Sequence, residues 1–159
     1  MHIVNIAPMT NADLDEVSSL LRTCFNWLAD REGFTPAQRA FLTGERSSVE
    51  TVREESKTRP HLVARDDGGA LLGMTAIRGN ELARLYVDPR FHGQRVGSKL
   101  FDVAEVMIRD AGFTEMTVAA LVESAAAFYR AQGMHEIGRE IYEPEIFLGR
   151  EVVLLAKAL

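Results

Sequence analysis

Leu14, Val17, Leu20, Leu21, Cys24, Phe25 and Leu28 recur at the 3.6-residue period, and the spacing predicts an amphipathic helix. Thr10-Asn11-Ala12-Asp13 ahead of it supplies capping side chains and an acidic first turn. Pro36 can open a second short helix carrying Phe41 and Leu42, with Gly44 closing it, and Ser47 to Lys57 is polar enough for an exposed helix or turn. The period changes at Pro60. His61–Arg65 and Ala70–Ile77 read as strands joined through Asp66-Asp67-Gly68-Gly69, and Gly79-Asn80 turns the chain into a third strand, Glu81–Val87. Val96, Gly97, Leu100, Phe101, Ala104, Met107, Ile108 and Ala111 trace one face of a long helix, closed by Gly112. Thr114–Leu121 is a strand. Ser124 opens a helix that Gly133 ends, and strands near His135–Tyr142 and Arg150–Ala156 finish the chain.

Hairpins at the front predict antiparallel pairing there. The strand–helix–strand crossover from Glu81 to Leu121 predicts one parallel pair in the middle. The expected architecture is a mixed, mostly antiparallel sheet with helices on both faces, an α/β (α+β) fold. At 159 residues, with no repeat or linker-like stretch, residues 1–159 read as one domain.

Composition narrows function mainly by exclusion. The 18 basic and 23 acidic side chains leave a net charge of −5, a poor match to a phosphate backbone, so nucleic acid is not an expected partner. No apolar run approaches the roughly 18 residues of a membrane span, and Met1 to Thr10 does not read as a secretory signal. One cysteine, Cys24, cannot form an internal disulfide, which agrees with a reducing cytoplasm. It reads as a small buried hydrophobe rather than a reactive thiol. His2, His61, His92 and His135 lie far apart in sequence, so no metal is expected.

The chemistry concentrates in Leu85-Tyr86-Val87-Asp88-Pro89-Arg90-Phe91-His92-Gly93-Gln94-Arg95-Val96-Gly97-Ser98-Lys99-Leu100. A strand enters a glycine-containing loop that becomes the first turn of a long helix. Unpaired amides and the positive end of the helix dipole make that turn an anion site suited to phosphate. A Walker A loop needs four residues between its glycines; here three separate Gly93 from Gly97, and Ser98 precedes Lys99. The dinucleotide pattern G-x-G-x-x-G fails on spacing as well.

The segment resembles motif A of the GNAT superfamily of N-acetyltransferases, Q/R-x-x-G-x-G/A, laid over His92-Gly93-Gln94-Arg95-Val96-Gly97. His92 stands for Gln or Arg and Arg95 for the first glycine, while both flanks follow the family. Ala125-Ala126-Ala127-Phe128-Tyr129-Arg130-Ala131-Gln132-Gly133-Met134 resembles motif B, with Val122 in place of its usual Asn. The resemblance covers roughly Leu62 to Leu155.

It implies acetyl-CoA as donor, no metal, and direct transfer to the primary amine of a small molecule. A protein or peptide acceptor is one alternative, and a non-catalytic acyl-CoA-binding module is another. It leaves room for a homodimer. Leu85, Tyr86, Val87, His92, Gly93, Gln94, Arg95, Val96, Gly97 and Ser98 are the implied cofactor-binding residues. Tyr129 is the implied acid for the leaving thiolate, and Glu81 the candidate base, where histone-type members carry one. Phe25, Trp27, Phe34, Glu143 and Glu145 are candidates for the acceptor side. For Trp27 and Phe34, core packing is at least as good a reading.

Overall fold

A computed structural model describes residues 3–159; Met1 and His2 lie outside the described residues. Seven strands form one sheet: β1 (Asn5–Pro8), β2 (His61–Arg65), β3 (Leu71–Arg78), β4 (Glu81–Val87), β5 (Glu115–Ala120), β6 (His135–Ile141) and β7 (Glu151–Ala158). Their spatial order is β1-β2-β3-β4-β5-β7-β6, antiparallel throughout except for β4 and β5. Five helices cover it: α1 (Leu14–Glu32), α2 (Pro36–Thr43), α3 (Val49–Ser56), α4 (Val96–Asp110) and α5 (Glu123–Ala131).

The helices form where their termini are satisfied and one face is apolar. Ahead of α1, the Thr10 amide donates to the Asp13 carboxylate at 2.8 Å, and Gly33, at φ +65°, ends the helix. Thr35 and Gln38 cap α2 reciprocally, at 3.2 and 2.9 Å, with Pro36 in its first turn. Leu14, Val17, Leu21 and Phe25 of α1 join Leu42 of α2 and Val52 of α3 over Val63, Met74 and Ala76. On the opposite face Phe101, Ala104 and Ile108 of α4 and Ala126 and Tyr129 of α5 pack over Leu82, Met116, Val118 and Leu155.

Two elements depart from the sequence pattern. β1 pairs with β2 but has four residues, mostly exposed, so no hydrophobic alternation announces it. α3 does carry a buried face: Val52 is fully enclosed, and Glu55 reaches the buried Arg84 of β4 at 3.0 Å.

The feature that makes room for a ligand is a slip in β4. Ala76 pairs with Arg84 while Ile77 pairs with Leu82, which leaves Ala83 as an extra residue, a bulge. Past it Arg84 and Tyr86 face α1–α3, and Leu85 and Val87 face α4. β4 and β5 share a single paired position, Glu81 with Thr117, and diverge beyond it.

Candidate active site

Divergence of two central strands leaves backbone groups without a strand partner. Alternate N–H and C=O groups of a strand face opposite neighbours, so those of β4 that look toward β5 past Ala83 are open to a ligand. Leu82–Val87 and Val118–Val122 form the two walls of a cavity of about 580 Å³, within the usual range for ligand sites. α4 and α5 close one side through Val96, Gly97, Ser98, Phe128, Tyr129 and Gln132, and Cys24, Trp27 and Leu28 of α1 close the other.

The phosphate turn is built as a tight reversal. Asp88 accepts from the Arg90 amide at 3.0 Å and holds the Arg90 guanidinium at 2.8 Å, which rounds the chain through Pro89–Phe91. Gly93 has φ +79° and Arg95, the N-cap of α4, has φ +65°. Few side chains adopt that left-handed geometry, and Arg95 does so at the position where motif A has glycine. The first α4 amide with a backbone partner is that of Lys99, which donates to Arg95 O at 3.0 Å. The amides of Val96, Gly97 and Ser98 precede it and present their N–H groups to an anion. A Cβ on Gly97 would stand 3.3 Å from the Phe128 ring, so glycine lets α4 and α5 meet at the cavity floor. Gln132 Nε2 donates to Ser98 Oγ at 3.0 Å and fixes that contact. Open amides, a small residue at the floor and a long slot between strands fit a phosphate-bearing, extended ligand such as a coenzyme A thioester.

Leu85, Tyr86, Val87, His92, Gly93, Arg95, Val96, Gly97, Ser98 and Tyr129 all line this cavity. Gln94 is exposed beside it on the turn. Glu81 stands apart. It sits at the closed end of the seam, where Thr117 pairs with it, and its carboxylate is ion-paired with Arg78; it is not among the lining residues. Nor is Arg90 free for phosphate, because Asp88 holds it. Phe25 packs on Tyr86 at 5.1 Å and Phe34 on Phe147 at 5.7 Å, so both are core residues, whereas Trp27 does line the site. Glu143 and Glu145 are exposed and outside the lining.

Burial dominates the electrostatics. It pushes the Cys24 thiol up to about 12, with the Asp88 charge adding to the effect, and Cys24 Sγ instead donates to Val87 O at 3.4 Å. Burial, with the nearby Tyr86, raises Tyr129 well above the ordinary phenol range, so its hydroxyl keeps its proton. His92 also reaches Val87 O, from Nε2 at 3.0 Å, and its ring stands edge-on to Trp27 at 4.9 Å. The strand-end carbonyl thus gathers side chains from α1 and the turn, a link between segments distant in sequence.

A family model described as an acetyltransferase (GNAT) domain matches residues 30–148. No curated protein matches the chain. Among solved structures, a GCN5-related N-acetyltransferase from Rhodopseudomonas palustris superposes with TM-score 0.86 at 20% identity, over 98% of this chain and 95% of that one. The PaiA N-acetyltransferase of Thermoplasma acidophilum, solved with coenzyme A, gives 0.78 at 20% identity over 99% of both chains. The ribosomal-protein-S18-alanine N-acetyltransferase of Escherichia coli gives 0.70 at 15%, over 98% and 94%. The backbone likeness extends over nearly the whole chain, and the matched segment holds the split seam and the phosphate turn together. The chain belongs to the GNAT family of acetyltransferases, enzymes that use acetyl-CoA as acyl donor.

Proposed function

We propose that the protein transfers the acetyl group of acetyl-CoA to the primary amine of a small molecule. The observation that carries this reading is how α1 walls the cavity on the side away from α4. Cys24 bonds to the end of β4, and Trp27 packs against His92, so the acceptor space is bounded on both sides. A cavity of about 580 Å³ suits a pantetheine arm with a compact amine beside it. An extended peptide needs an open groove instead.

When bound, acetyl-CoA supplies a thioester whose sulfur is the leaving group. Val96, Gly97 and Ser98 amides hold the phosphates, and open N–H groups of β4 near Val87 polarise the acyl carbonyl. Tyr129 gives a proton to the departing sulfur; burial holds the phenol well above its ordinary range, so the hydroxyl still carries its proton at neutral pH. α4, α5 and α1 exclude bulk water from the seam, which strengthens each of these interactions.

Release of free CoA thiol, measured against alkylamines, arylalkylamines, polyamines and lysine- or alanine-terminated peptides, tests the reading. Turnover with small amines is the expected result. Turnover confined to peptides would reassign the acceptor, and acetyl-CoA binding with no turnover on any of them would make the chain an acyl-CoA-binding module.

A further inference from the structure

Acetyl transfer from a thioester to an alkylamine needs a proton acceptor, because such an amine is an ammonium ion at neutral pH. No Asp or Glu is among the residues that line the cavity, and Glu81 is bound to Arg78 at the closed end of the seam. Arg84 and Arg95 are cations. Burial raises the pKa of Cys24, Tyr86 and Tyr129, so they stay protonated and accept no proton near neutrality. Among the described residues, His92 is the remaining titratable side chain of the lining.

Its placement is specific. A carbonyl oxygen can only accept, so the 3.0 Å contact from Nε2 to Val87 O puts the proton of the neutral ring on Nε2. That tautomer leaves a lone pair on Nδ1. Trp27 holds the ring edge-on from α1, the wall of the acceptor space, at an interplanar angle of 89°. His92 is exposed, which gives an accepted proton a route to solvent.

We propose that His92 is a catalytic residue whose Nδ1 takes the proton from the acceptor ammonium. This rests on the acetyl-transfer reading above. The ammonium N–H bond breaks and its electron pair stays on nitrogen, which bonds to the acyl carbon. The carbon–sulfur bond breaks with its pair on sulfur, and sulfur takes the Tyr129 proton. The second nitrogen proton, lost as the amide forms, restores the tyrosine hydroxyl through water, and His92 passes the first to solvent. The sum is one amide, one CoA thiol and one released proton.

The groups that surround the imidazole come from three elements. Asp88, with Arg90 bound to it, precedes His92 on the turn; Cys24 shares Val87 O from α1, where Arg31 stacks over Trp27 at 4.6 Å; Arg95 heads α4. Of these Asp88 is the near anion, held below the usual carboxylate range first by its hydrogen bond to Arg90, and it stays charged across the range where imidazoles titrate.

His92→Gln keeps a donor for Val87 O and removes the lone pair, so two acceptor classes separate the roles. With an alkylamine at pH 7, kcat/KM should fall at least tenfold. The loss should shrink toward pH 10, where the amine deprotonates unaided. With a hydrazide, already neutral at pH 7, the fall should stay within about threefold, and acetyl-CoA affinity by calorimetry within about twofold. Equal losses on both amines, or loss of acetyl-CoA binding, would overturn the proposal and return His92 to cofactor binding. Nitrogen-15 shifts of the ring, independent of turnover, should report the Nε2–H tautomer; the Nδ1–H form would overturn it. If the wild-type protein turns over neither amine, acetyl transfer itself fails, and this role with it.

Discussion

The Arg84 guanidinium, 4% exposed, donates to the Glu55 carboxylate through Nη2 at 3.0 Å and Nε at 3.2 Å, tying β4 to α3 directly behind the cavity wall. Arg46 and Arg59 join the same carboxylate at 3.3 and 3.1 Å. Burial works against the Glu55 charge, yet the three guanidinium groups outweigh it and hold Glu55 below the usual carboxylate range. A carboxyl pKa depressed in the folded state means stability that is present above the unfolded carboxylate range and lost as pH falls through the folded value. Glu55→Gln should therefore cost about 3 kcal/mol at pH 7, because Arg84 is left buried and unpaired. The penalty should shrink below pH 4, and denaturant midpoints at both pH values check it. Replacing both partners by apolar residues should cost less than either single change.

Tyr129→Phe keeps the ring against Phe128 and Phe101 and removes the hydroxyl. General acid catalysis is worth about 10²–10⁴-fold, so kcat should fall at least tenfold. The melting temperature should hold within about 3 °C, and acetyl-CoA affinity should barely change, since backbone amides carry it. An unaltered kcat, with chemistry shown to limit the rate, would make Tyr129 a core residue.

Arg95→Gly should move stability and binding in opposite directions. Relief of the left-handed backbone at φ +65° offsets the added flexibility of glycine, a net gain of about 0.5–1 kcal/mol and roughly 2–4 °C. Removing a cation from the phosphate turn should weaken acetyl-CoA severalfold. Thermal melts and calorimetry on one preparation read both signs, and a variant gaining in both would show that the side chain has no part in binding.

Cys24 should resist thiol reagents at pH 8. With the thiol pushed up to about 12, the thiolate fraction is on the order of 10⁻⁴. Labelling should follow global unfolding, so its rate should rise with denaturant. Stoichiometric labelling of the native protein within minutes would contradict the burial.

The chain announced four of its five helices and six of its seven strands among the described residues, and left α3 open as helix or turn, because period, caps and turn residues are local signals: Pro36, Gly112 and the Asp66–Gly69 turn sit where the backbone needs them. The four-residue β1 offers no such signal, since pairing with β2 alone makes it a strand. Most of the cofactor turn was legible for the same reason, being one contiguous stretch. The base was not. Glu81 lies on the right strand, but the pairing with Thr117 closes the seam at that residue. The contacts that set His92, with Val87 O and Trp27, span up to 65 residues and follow no sequence period.

The lone β4–β5 pairing makes the sheet two plates clasped at one corner, strands 1–4 and strands 5–7. Ladder bonds do not set the gap between them, so side-chain bulk does. Phe101, fully enclosed under α4, supports Tyr129 with ring centres 6.3 Å apart, and Leu82 of one plate and Val118 of the other share its cluster. Room for longer acyl chains is thereby set in part from beneath α4, by a Phe101 side chain that is not among the residues lining the cavity. Phe101→Leu should shift the preference from acetyl toward propionyl and butyryl thioesters without altering the binding turn, as competition among the three would show.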